Sequence, residues 1–157
     1  MTIACLGLFF LYCAWEEGKV KVTPNRIHYV MAINVTVLAA TGALVRLFSS
    51  QPVDMAGVKE ILDQPTWRIA LAGFEDAVFV LPVFMLSERS RPFFLTFLAI
   101  AFASAHSYQG FVPAAAKVFF VPVVYLMAKR WGILTTMIAH SVQDLLAVSL
   151  LRHVLSQ

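Results

Sequence analysis

Apolar residues fall in long runs, and the polar residues are gathered into short gaps between them. The runs cover about 1–15, 27–48, 67–86, 93–109, 111–128 and 131–155. A helix needs about 20 residues to cross the hydrocarbon of a bilayer, with a range of about 17–25. The second, third and sixth runs meet that length, and the fourth and fifth are short but sufficient. The first is marginal. No basic residue precedes Lys19, whereas a cleavable signal peptide carries a basic n-region, so 1–15 reads as a short anchor helix. The pattern predicts an all-α, polytopic transmembrane bundle of about six helices, with residues 1–157 forming one membrane domain.

The gaps are short, as a compact bundle requires. Pro24 stops the first connection, Lys129 and Arg130 close the fifth run, and Trp131 opens the sixth at interface depth. The longest gap, 49–66, differs from the others. Val53, Val58, Ile61 and Leu62 share one face there, against Asp54, Lys59, Glu60 and Asp63, which predicts a short amphipathic surface helix ended by Pro65. Orientation follows from the basic residues. Lys19, Lys21, Arg26, Arg89, Arg91, Lys129 and Arg130 lie on one side, against Lys59, Arg152, Arg46 and Arg68 on the other. Both termini are thereby expected to face away from the cytoplasm.

Composition sharpens the class. The chain has 157 residues, 60% hydrophobic and 13% charged, with mean hydropathy +0.78; soluble domains average about 25% charged. Disorder, a disulfide-rich scaffold and a nucleic-acid-binding domain are excluded. The net charge of +3 and pI near 9.1 reflect membrane topology, so the expected partner is the lipid bilayer and not nucleic acid. Cys5 and Cys13 are eight residues apart in one run, about 12 Å along a helix, beyond disulfide reach. They read as small apolar residues. The Asn34-Val35-Thr36 sequon lies inside a span, where it has no glycosylation role. No oligomeric state follows from the sequence.

Charged groups at bilayer depth cost at least about 2.5–3.5 kcal/mol each, so those inside the runs need a reason. The third run holds Glu75 and Asp76, the fourth His106, the fifth Lys117, and the sixth His140 and Asp144. His140 and Asp144 are at i and i+4, on one helix face, as are Phe102 and His106. Two imidazoles and up to three carboxylates from three helices can therefore meet in one bundle. A carboxylate with neutral imidazoles beside it can activate a water. The same Glu/His/His/Asp set equally suits a divalent metal such as zinc with an open position. Lys117 reads more simply as a snorkelling side chain, and Pro82, Pro113 and Pro122 as helix bends.

At these residues the sequence resembles the CPBP family of CAAX proteases and bacteriocin-processing proteins, also called ABI. That family shows Glu-Glu-x-x-x-Arg, Phe-x-x-x-His and His-x-x-x-Asn or Asp. Here the motifs read Glu75-Asp76-Ala-Val-Phe-Val80, Phe102-Ala-Ser-Ala-His106 and His140-Ser-Val-Gln-Asp144. The likeness covers about 55–150, preceded by two additional helices. It implies an intramembrane endopeptidase in a bacterial cytoplasmic membrane, acting on a peptide or protein substrate in or at the membrane. By position, Glu75 deprotonates the attacking water with help from His106, while His140 and Asp144 stabilise the oxyanion and Asp76 is the second acid. No cofactor is favoured. A metal-dependent version would hold zinc with Glu75, His106, His140 and Asp144. Two departures stand out: Asp76 replaces the second Glu, and Val80 replaces the arginine, so Asp76 must find another cation, with Lys117 or Arg68 the candidates, or remain protonated. The competing class is a non-catalytic membrane protein of the same fold, an immunity or scaffold partner or one that handles ions or protons.

Overall fold

Long apolar runs without strand-like alternation fold as helices, and no strand occurs among the described residues. A computed structural model of the chain describes residues 23–48 and 55–155. The anchor helix expected at 1–15, with Cys5 and Cys13, lies outside the described residues, as do Val53 and Asp54. The helices are α1 (Ile27–Phe48), α2 (Met55–Leu62), α3 (Thr66–Ala70), α4 (Gly73–Phe84), α5 (Arg91–Ala105), α6 (Phe111–Ala116), α7 (Phe120–Trp131) and α8 (Ile133–Leu155). Single 3₁₀ turns occur at Pro24–Arg26, Ser107–Gln109 and Lys117–Phe119.

Among the described residues, three stretches are long and apolar enough to cross a membrane: Pro24–Leu44, Phe111–Trp131 and Ile133–Leu155, with mean hydropathies of 1.6, 1.9 and 1.4. Large apolar side chains including Phe93, Phe97, Ile100, Leu126 and Leu150 face outward, a surface that hydrocarbon solvates and water does not. These features describe a membrane protein.

The core lies where α4, α5, α7 and α8 meet. Val80, Val83, Phe102, Phe120, Val121, Val124 and Ile133 are among its buried members. α8 is the central element and packs on α1, α4 and α7. At one end, Thr23 Oγ1 donates to the Trp131 carbonyl at 2.8 Å, and the Thr23 amide donates to Thr135 Oγ1 at 2.7 Å. These bonds fix the entry of α1 on the α7–α8 junction.

Three expectations need correction. The run 67–86 is not one helix. It breaks at Leu71–Ala72 into α3 and α4, the second only 12 residues long, or about 18 Å against a hydrocarbon core of about 30 Å. The cause is tertiary. Gly73 packs directly on α8, where a Cβ would overlap the Met137 carbonyl and Ser141 Oγ. The Gly73 amide has no helical partner at the break, and it donates to Ser141 Oγ at 3.1 Å. The run 111–128 is likewise interrupted by a tight 3₁₀ turn at Lys117–Phe119, just before Pro122 removes an amide from the helical ladder. Finally, Trp131 ends α7 and does not open α8. The junction is Gly132, whose φ of 95° is a conformation that a side chain disfavours.

The predicted amphipathic helix is present as α2. Ile61 and Leu62 are half-buried, and Lys59 and Glu60 are exposed. Beyond it, Arg152 of α8 donates from Nε to the Leu62 carbonyl at 2.9 Å, and from its terminal nitrogen to the carbonyls of Leu62 and Gln64. The last turn of α2 and its following loop are therefore held to α8.

Candidate functional site

The break before α4 puts Glu75 and Asp76 in the first helical turn, at the positive end of the helix dipole, an end that favours carboxylates. The two acids diverge from there. Glu75 Oε2 lies 3.5 Å from His106 Nε2. Asp76 Oδ1 lies 3.0 Å from His140 Nδ1, and His140 Nε2 is 3.4 Å from Asp144 Oδ2. Asp76 is sealed, with its side chain 2% exposed, and its Oδ2 has no hydrogen-bond partner. The Glu75 and Asp144 side chains are 26% and 38% exposed.

Each imidazole is oriented by its other nitrogen. His106 Nδ1 is 2.8 Å from the Phe102 carbonyl. Since a carbonyl only accepts, Nδ1 carries a proton, and Nε2 is turned to Glu75. The i, i+4 spacing of Phe102 and His106 thus has a backbone function. The Phe102 ring also lies against His106, with centroids 4.4 Å apart. It stacks on Phe120 at 5.4 Å and 12°, and Phe120 meets His140 edge-on at 5.0 Å. A buried aromatic pair therefore forms the wall between the two histidines.

In front of this wall is a cavity of about 790 Å³. Glu75, His106, His140 and Asp144 all line it, together with Lys117, Arg68, Tyr108 and Gln109; Ile61, Gln64 and Pro65, from α2 and its following loop, also contribute. Asp76 does not reach it and stands behind His140. The five residues singled out in the sequence come together in this way. The expected cation for Asp76 is a correction: its partner is His140, and neither Lys117 nor Arg68. Val80, where the motif arginine would be, is 1% exposed in the apolar core.

A shared metal does not fit these donors as they stand. Both nitrogens of His140 face carboxylates and that of His106 facing Glu75 is not joined to them; no group of three His, Cys, Asp or Glu side chains forms a metal site among the described residues. Sequence reasoning missed Ser141 and Gly73, which set where α4 begins, and gave no role to Tyr108 and Gln109. The signal for Ser141 was its place beside His140, and that for Gly73 was a glycine two residues before the acids. No family model matches the chain, and no curated protein or solved structure matches it either.

Proposed function

We propose that the chain is a multi-pass intramembrane endopeptidase of CPBP type, in a bacterial cytoplasmic membrane, that hydrolyses a peptide bond with a water activated by Glu75. The observation that carries this reading is the divergence of two consecutive acids onto two histidines at one cavity. A water entering beside Glu75 Oε2 and His106 Nε2 meets two acceptors, to each of which it can donate one hydrogen. Its oxygen lone pairs then point away from both, ready to attack a carbonyl carbon.

In the reaction, the water proton passes to Glu75 as the new C–O bond forms. The carbonyl oxygen gains the negative charge, and His140 Nε2 is the donor available to it. Asp144 Oδ2, at 3.4 Å and partly exposed, holds Nε2 loosely enough to yield it, while Asp76 keeps Nδ1 oriented at 3.0 Å. Collapse of the intermediate breaks the C–N bond, and the proton carried by Glu75 goes to the leaving amine. Preorganised donors at a developing oxyanion are commonly the largest catalytic contribution, and a positioned base supplies about 10²–10⁴-fold. The donor set argues for this route over a metal-held water. The test compares membrane proteomes from cells carrying active and Glu75→Ala protein. Substrate peptides should persist uncut only with Glu75→Ala, and identical proteomes would sink the reading.

A further inference from the structure

Lys117 is a charged cavity group that this mechanism leaves unused. It lines the catalytic cavity at the 3₁₀ joint between α6 and α7, a position where the chain bends and the side chain departs from the regular helical rows. Its Nζ lies 5.6 Å from the centroid of Phe102, the ring that also supports His106. Beyond that ring contact it has no hydrogen bond or ion pair among the described residues. Nor is Nζ sealed within the core, since it is absent from the orphaned buried polar atoms and borders the cavity. The two cavity carboxylates are already occupied: Glu75 faces His106, and Asp144 faces His140. Glu75 and Asp144 act on the ammonium only through space, and an ammonium at this depth with no anion in direct contact is expensive.

Resting on the proteolytic reading, we propose that Lys117 binds a carboxylate of the substrate and so selects peptides with an acidic group near the cleaved bond. Lys117 and His106 contact the same ring, so the carboxylate binds within a few residues of extended chain from the scissile carbonyl. A dianionic phosphate suits the cavity poorly, because Glu75 and Asp144 share it. A single-charge carboxylate is met by one ammonium. Arg68 lines the same cavity with an exposed side chain and no ion pair among the described residues, and it adds a second positive charge on the way in. Tyr108 and Gln109 supply neutral donors alongside. The carboxylate can be the end of a chain or an Asp or Glu side chain, and the test separates these sources.

The experiment uses full-length Glu75→Gln protein in nanodiscs, which binds without cutting. Three fluorescein-labelled apolar octapeptides serve as probes: one with a free C-terminal carboxylate, its C-terminal amide, and that amide with one Glu near its end. Anisotropy should show at least one acidic peptide binding about tenfold more tightly than the neutral amide, the size of a charge-assisted contact. Adding Lys117→Met should remove that preference while neutral-amide binding stays as it was, which also shows that the protein is folded. Lys117→Arg should retain it. Preference for the first acidic peptide alone assigns the chain end, and for the third alone a side chain. Equal binding of all three, a preference that survives Lys117→Met, an equal loss for all three, or no binding overturns the inference. Cleavage by the wild-type protein separates the two claims. A Lys117-dependent preference without any cleavage defeats only the protease reading, and cleavage of all three peptides alike defeats only the role of Lys117.

Discussion

Glu75 and Asp76 are adjacent in sequence and identical in chemistry, yet they occupy opposite kinds of environment. Glu75 faces a cavity, stands 3.5 Å from its histidine and stays partly exposed. Asp76 is sealed behind His140 at 3.0 Å and touches no cavity. Consecutive residues on a helix point about 100° apart, so a single turn can serve two histidines on two helices. The difference teaches that the pair divides its work. On the proposed reading, the wet acid serves the chemistry, and the dry one holds an imidazole still.

The comparison breaks most visibly at Glu75. Glu75→Gln is expected to lower peptide cleavage by about 10²–10⁴-fold with little change in unfolding temperature, measured on purified protein in detergent. Retained cleavage would hand the base role to another group. The reverse profile is expected at Asp76. Asp76→Ala leaves His140 without its buried partner and should destabilise the fold by about 3–5 kcal/mol, seen as a large fall in thermal midpoint. Replacing both Asp76 and His140 by Leu should recover much of that loss, because no sealed unpaired charge then remains; Asp144, which loses its imidazole, is partly exposed. If Glu75→Ala costs as much stability as Asp76→Ala, the division of labour is wrong.

Smaller effects sharpen how the pair is positioned. Gly73→Ala drives a methyl group into the Met137 carbonyl and Ser141 Oγ and should cost about 1–3 kcal/mol. Because α4 must shift to relieve the overlap, cleavage should fall with it. An unchanged midpoint and rate would show that α4 and α8 can separate freely. Ser141→Ala removes only the hydrogen bond to the Gly73 amide, and a loss of about 1 kcal/mol is expected, with the cleavage rate reduced less than by Gly73→Ala.

Legibility in the sequence followed the range of the interaction responsible. The bounds of α1 were readable as Ile27–Phe48, since an uninterrupted apolar run is a local signal. Local spacing likewise put Phe102 with His106 and His140 with Asp144, and the structure has both pairs in contact. The break between α3 and α4 was invisible because 67–86 stays apolar throughout, and what divides it is the approach of α8 to Gly73. Asp76 meeting His140, 64 residues away, was equally out of reach; the absent arginine at Val80 showed that a partner was needed without saying which. The Phe102–Phe120 stack joins α5 to α7, and neither residue's neighbours announce it.

The place of α8 in this arrangement bears on how the molecule is made. That one helix contributes His140 and Asp144 to the cavity, Ser141 to the start of α4, and Arg152 to the hold on α2. A nascent chain that has emerged only as far as Gly132 already carries Glu75, Asp76 and His106. It lacks His140, the partner for Asp76, and the contact that sets where α4 begins. On the proteolytic reading proposed above, hydrolytic competence would therefore arrive with the insertion of α8 and not by degrees, and a translating ribosome would not expose its own unfinished product, or neighbouring membrane chains, to a working site.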